Sequence, residues 1–244
     1  MILPKSIDAV HRFQLYRCLM ALFDDSFISQ SLFFKGGTCA AMLGYLDRFS
    51  LDLDFDLKQK QDKKILDNKL KVIFKKLDYT VSRQSRNELF YVLKYALIKS
   101  GRNTIKLGIT PMAAKSNRYG LFYLQELDRY ARCQTIETMF AHKLVSMTDR
   151  FRKYKMVAGR DLYDIHHFFL QGYGYIKEVI QERTGKRPVE YFRGLADFIK
   201  KKVNDTIISE DLNYLLPIEK LPKIRKALKK ETLVFLASEI NRLK

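Results

Sequence analysis

Between Ser50 and Leu57 the chain alternates without exception. Leu51, Leu53, Phe55 and Leu57 are apolar, while Ser50, Asp52, Asp54 and Asp56 are polar. A period of two means a strand with one buried face. The chain must therefore build a sheet that covers the apolar side and accommodates three carboxylates on the other. Alternate residues on one face stand roughly 6–7 Å apart, so the aspartates repel one another, and Asp is disfavoured in strands. Two readings are open. The polar side is the solvated face of an antiparallel sheet, or it holds a divalent cation on Asp52 and Asp54. Magnesium or manganese suits the second reading, because such ions take few protein oxygens and leave positions for water and phosphate.

The residues in front favour the second reading. Leu32, Phe33 and Phe34 form an apolar run that ends at Gly36-Gly37, the pattern of a strand entering a tight turn. A short helical pattern follows, with Thr38 expected as its N-cap. A glycine turn feeding a helix start exposes backbone N–H groups to anions such as phosphate. A phosphate cradle followed by a metal-binding strand is the minimum apparatus for phosphoryl or nucleotidyl transfer.

Gly36-Gly37-Thr38 followed by Arg48, Ser50, Asp52 and Asp54 in the order R-x-S-x-D-x-D resembles the signature of the AbiEii family of nucleotidyltransferase toxins. That family includes toxins of AbiE abortive-infection systems and the mycobacterial MenT toxins, within the DNA polymerase beta-like superfamily. The resemblance implies an NTP-dependent nucleotidyltransferase that uses magnesium or manganese. Asp52 and Asp54 would hold the metal, and Gly36, Gly37, Thr38, Arg48 and Ser50 would bind the nucleotide. It also implies a cognate antitoxin, and tRNA as the acceptor.

The charge agrees with a polyanionic partner. Lys and Arg number 45 against 27 Asp and Glu, a net charge of +18, which favours nucleic acid through counterion release. A lysine-rich composition unrelated to nucleic acid is the alternative. Cys18, Cys39 and Cys133 form no C-x-x-C pair, so neither a zinc site nor a disulfide framework is expected. No apolar run approaches about 18 residues, and a soluble cytoplasmic protein without a membrane partner is the expectation.

Residues 6–25 read as an amphipathic helix with Val10, Phe13, Leu15, Leu19, Leu22 and Phe23 apolar and His11 at the surface. A lysine-laden helix should follow the acidic strand, with Ile65, Leu70, Ile73, Phe74 and Leu77 inward. YTVSRQS, NELFYVLKYAL and NTIKLGIT read as strands, the last two joined by a turn at KSGRN. In the superfamily a further acidic residue often lies on the strand matching TIKLGIT, and Gly108 occupies that place. Two aspartates then hold the metals, or Glu88 or Asp56 substitutes, or the site is weaker.

After Pro111 the pattern changes, and from Cys133 onward it is helical. Lys143 falls on the apolar stripe of Ile136, Met139, Phe140, Leu144, Met147 and Phe151. A charge there must be paired or must snorkel out. Asp161 and Asp164 share a face of the next helix. Lys143 followed by RDLYDI is similar to the later AbiEii motifs. The likeness implies that Lys143 engages the nucleotide phosphates, and that Asp161, with Asp164 as second choice, supports catalysis or positions Lys143. Adjacent His166 and His167 lack a third ligand at suitable spacing. The later helices should break at Gly185, Pro188, Pro217 and Pro222.

The expected fold is α+β: a nucleotidyltransferase-like mixed sheet with flanking helices over residues 1–125, then a helical domain over residues 126–244. Rival functions are the same chemistry on a small molecule such as an aminoglycoside, and nucleotide or nucleic-acid binding without catalysis.

Overall fold

The computed structural model describes residues 1–59, 61–85, 88–96 and 102–244. The expected KSGRN turn lies largely outside the described residues. The chain separates into two compact units, one of residues 1–113 and 119–134, the other of residues 114–118 and 135–244.

The first unit is built on one mixed sheet. Among the described residues it has seven strands: β1 (Leu32–Lys35), β2 (Asp52–Leu57), β3 (Thr80–Gln84), β4 (Leu89–Lys94), β5 (Thr104–Pro111), β6 (Tyr119–Leu124) and β7 (Arg129–Gln134). Their order is β3-β4-β5-β2-β1-β7-β6. β2 is central, antiparallel to β1 and parallel to β5. Leu53, Phe55 and Leu57 are buried, as the alternation requires. Phe23 of helix α1 (Asp8–Asp24) packs edge-on against Phe34 and Phe55, with ring centroids 5.9 and 6.4 Å away. Helix α4 (Lys63–Lys76) places Phe74 5.2 Å from Tyr91 of β4. Short helices α2 (Ser26–Ser31) and α3 (Gly36–Met42) flank β1.

Three expectations change. His11 is buried: its Nδ1 lies 2.8 Å from Tyr95 Oη and its Nε2 3.1 Å from Leu51 O. A ring with polar partners at both nitrogens satisfies a histidine in a core. Leu15, Leu19, Leu22, Leu70, Ile73 and Phe74 are buried as expected, but Phe13 and Ile65 are exposed, and Cys18 and Leu66 complete the two buried stripes. β6 and β7 add two strands that the sequence pattern does not mark.

The second unit is helical: α5 (Ile136–Tyr154), α6 (Gly159–Leu170), α7 (Lys177–Thr184), α8 (Pro188–Lys202), α9 (Asp205–Leu212) and α10 (Leu221–Arg242). The breakers act where expected. Gly185 ends α7 in the left-handed region, Pro188 opens α8, and Pro222 sits in the first turn of α10. Gly159 has a packing reason. A Cβ there would lie 2.7 Å from Ile207 O and 2.8 Å from Ile208 Cα, so only glycine lets α6 start against α9. No helix among the described residues is long and apolar enough to cross a membrane.

Candidate active site

The polar side of β2 carries Asp52, Asp54 and Asp56, and the three differ. Asp52 and Asp54 are half-buried, whereas Asp56 is buried. Asp56 accepts from Lys35 Nζ at 2.6 Å, Gln134 Nε2 at 2.6 Å and Tyr119 Oη at 2.8 Å. A carboxylate with both oxygens so engaged is a structural anchor. The substitution of Asp56 for a missing metal ligand is thereby corrected. Glu88 stands exposed just before β4.

Gly36 adopts φ +79°, a conformation costly for any residue with a Cβ. A Cβ there would stand 2.6 Å from Asp54 Oδ2. The backbone of the turn thus approaches the carboxylate directly. Gly37 serves the layer beneath: its absent Cβ would meet Ser50 Oγ at 2.9 Å and Arg48 Nη2 at 3.0 Å. Arg48 is buried and donates to Phe49 O. Thr38 is not the N-cap, since the helix starts two residues earlier at Gly36. Its buried hydroxyl donates instead to Asp52 O at 2.5 Å and lies 2.9 Å from Ser50 Oγ. Thr38, Arg48 and Ser50 therefore tie the glycine turn to the start of β2, and the seven signature residues from Gly36 to Asp54 come together as one cluster.

Gly108 of β5 is opposite Asp54 in the β2–β5 ladder. A Cβ at 108 would lie 3.5 Å from Asp54 Oδ1 and 3.8 Å from Phe90 Cδ2, ordinary contact distances. Glycine is not sterically required there; its effect is to leave room beside Asp54.

In the second unit Lys143 is not a snorkelling lysine. Its Nζ lies 3.2 Å from Asp161 Oδ1 and 2.8 Å from Asp164 Oδ2, and both aspartates are fully buried. Arg150, two turns further along α5, binds the other Asp161 oxygen at 2.9 Å. Burial pushes the Asp161 carboxyl up, but the charges of Lys143 and Arg150 outweigh it and hold the group down at about 2. Sequence reasoning found Lys143, Asp161 and Asp164 but missed Arg150. Its spacing of seven from Lys143 on one helix face was the available signal. His166 Nε2 lies 2.6 Å from Glu231.

The model of the family described as "Nucleotidyl transferase AbiEii toxin, Type IV TA system" matches residues 17–231. The chain belongs to this family. AbiEii membership places it among nucleotidyltransferase toxins of toxin–antitoxin systems, and implies a nucleotide substrate and an antitoxin partner. No curated protein matches the chain. Among solved structures it is similar to JHP933 from Helicobacter pylori, with a TM-score of 0.59, 22% identity, and 98% of this chain and 94% of that one covered. It is also similar to MenT4, a nucleotidyltransferase toxin from Mycobacterium tuberculosis, with a TM-score of 0.53, 15% identity, and 98% and 89% covered. These likenesses establish the mixed-sheet and helical architecture.

The AbiEii residues present suit a divalent cation. Two half-buried carboxylates alternate on a strand, one faces a backbone stripped of its Cβ, and the donors are all oxygen.

Proposed function

We propose that this AbiEii-family chain transfers a nucleotide from an NTP to an RNA acceptor, with the 3′ end of tRNA as the target. The observation that carries the reading is the close approach of the bare Gly36 backbone to Asp54, which shares its strand face with Asp52. Asp52 and Asp54 would hold magnesium or manganese, which when bound supplies charge stabilisation to a phosphoryl oxygen. Gly36 and Gly37 would bring backbone N–H groups to the phosphates, and Thr38, Arg48 and Ser50 would hold that turn against β2. Lys143 would engage the nucleotide phosphates, the role that the likeness to the AbiEii motifs implies for it. Asp161 and Asp164 would fix the direction of its ammonium. The acceptor assignment is supported by the net charge of +18. In a cell the activity would be cytoplasmic and restrained by the antitoxin.

The test is incubation of the full chain with each labelled NTP, magnesium, total cellular RNA and an aminoglycoside. Label should enter tRNA. Label in an aminoglycoside alone would replace RNA by a small molecule. A second reading, nucleotide binding without transfer, draws support from Gly108, which removes a carboxylate position beside Asp54. Absence of pyrophosphate release with all four NTPs would favour it.

A further inference from the structure

The acidic face of β2 already contains a cation. Lys35 is the last residue of β1 and lies directly opposite Asp54 in the antiparallel ladder. Directly opposed residues point to the same face, with Cβ atoms about 4.5–5.5 Å apart. Its ammonium reaches one step along the strand, donating to Asp56 Oδ1 at 2.6 Å and Thr110 Oγ1 at 2.7 Å. Asp56 and Thr110 thus hold this charge on the face that carries Asp54, and Gln134 and Tyr119 hold Asp56 in place. A clamp of two divalent ions needs carboxylates enough to bridge and flank both. Here Asp56 is consumed by Lys35, Gln134 and Tyr119, and position 108 is glycine.

We propose that Lys35 is a built-in cation of the acidic face, which restricts that face to a single divalent ion on Asp52 and Asp54. The inference rests on the metal site of the proposed function and adds its stoichiometry and the residue that sets it. Two consequences have opposite signs. Removing the ammonium relieves repulsion of the metal and leaves the charge of Asp56 to attract it. Removing the Asp56 charge leaves the ammonium uncompensated beside the metal.

The experiment is titration of the full-length protein with manganese(II) alone, following free ion by electron paramagnetic resonance, with thermal melts of every variant. Wild type should bind one ion per chain at this site, and Asp52→Asn should abolish it. Lys35→Met should bind manganese roughly tenfold more tightly, and Asp56→Asn weaker by a comparable factor. General damage to the sheet would weaken binding in both variants and cannot give opposite signs. If Lys35→Met fails to fold, Lys35→Gln, which keeps a donor toward Asp56 without the charge, takes its place. Two ions on wild type, or shifts in the same direction for both variants, or no shift in either, overturn the inference and leave the metal site standing. No manganese binding by wild type overturns the metal site and this inference together.

Discussion

A methyl group on Gly36 would stand 2.6 Å from Asp54 Oδ2, inside any allowed contact. The same residue sits at φ +79°. Gly36→Ala should therefore combine backbone strain of about 1–2 kcal/mol with displacement of the Asp54 carboxylate. It should melt lower than wild type and lose most manganese affinity. Gly108→Ala, whose Cβ would meet Asp54 at an ordinary 3.5 Å, should keep both. Parallel melts and titrations of the two variants make the comparison.

Asp52→Ala and Asp54→Ala remove charge from half-buried positions that contribute little packing. Both should stay folded and lose transfer by on the order of a thousandfold. Either variant retaining more than about a tenth of wild-type rate would contradict a two-aspartate site.

The Lys143 ammonium is the shared partner of two fully buried carboxylates. On periodicity alone, replacing a charge on an apolar stripe with Met should be neutral or stabilising. The ion pairs reverse that expectation. Lys143→Met should destabilise by on the order of 3 kcal/mol, the usual cost of stranding a buried charge. Chemical denaturation would measure it.

Asp161 sits at about 2 in the fold, below the ordinary carboxyl value near 4 of an unfolded chain. A depressed folded value means stability fully present above about pH 4 and lost as pH falls through about 2. The linked loss is on the order of 2 kcal/mol. Arg150→Met takes away one of the charges that lower the group, so its loss should start at the same pH of about 4 but end at higher pH and be smaller. Urea midpoints between pH 5 and 2 for both proteins would show the displacement.

RNA held through phosphates should weaken steeply with salt, with a log–log slope of about −0.7 per phosphate in a single strand. Five contacts would mean on the order of a hundredfold loss for a fourfold rise in salt. Free NTP should respond less. A salt-insensitive RNA affinity would make the charge of +18 a compositional habit.

The strand β2 and the glycine turn were legible because each rests on local spacing, whereas joining Lys143 to Asp161 and Asp164 on the next helix rested on the likeness to the AbiEii motifs. What stayed hidden depends on partners far along the chain. Asp56 looked equivalent to its neighbours until Tyr119 and Gln134, more than sixty residues away, closed over it. His11 looked superficial for the same reason, its partners being Leu51 and Tyr95. The ribbon of β6 and β7 escaped because Leu121, Tyr123 and Tyr130 are exposed, so its apolar residues do not mark a buried face.

Residues 114–118 belong to the helical unit although the strands on either side of them, β5 and β6, belong to the sheet. Within that unit the Lys115 and Ser116 amides donate to Glu182, and the Arg118 amide donates to Thr138. The polypeptide therefore passes from sheet to helices, back, and out again. No single cut yields two intact halves. A fragment stopping at residue 113 lacks two strands, and one stopping at residue 134 carries a five-residue piece whose anchors have been left behind. On the ribosome the sheet can close once Gln134 has emerged, while the stretch from 114 to 118 must wait for Glu182.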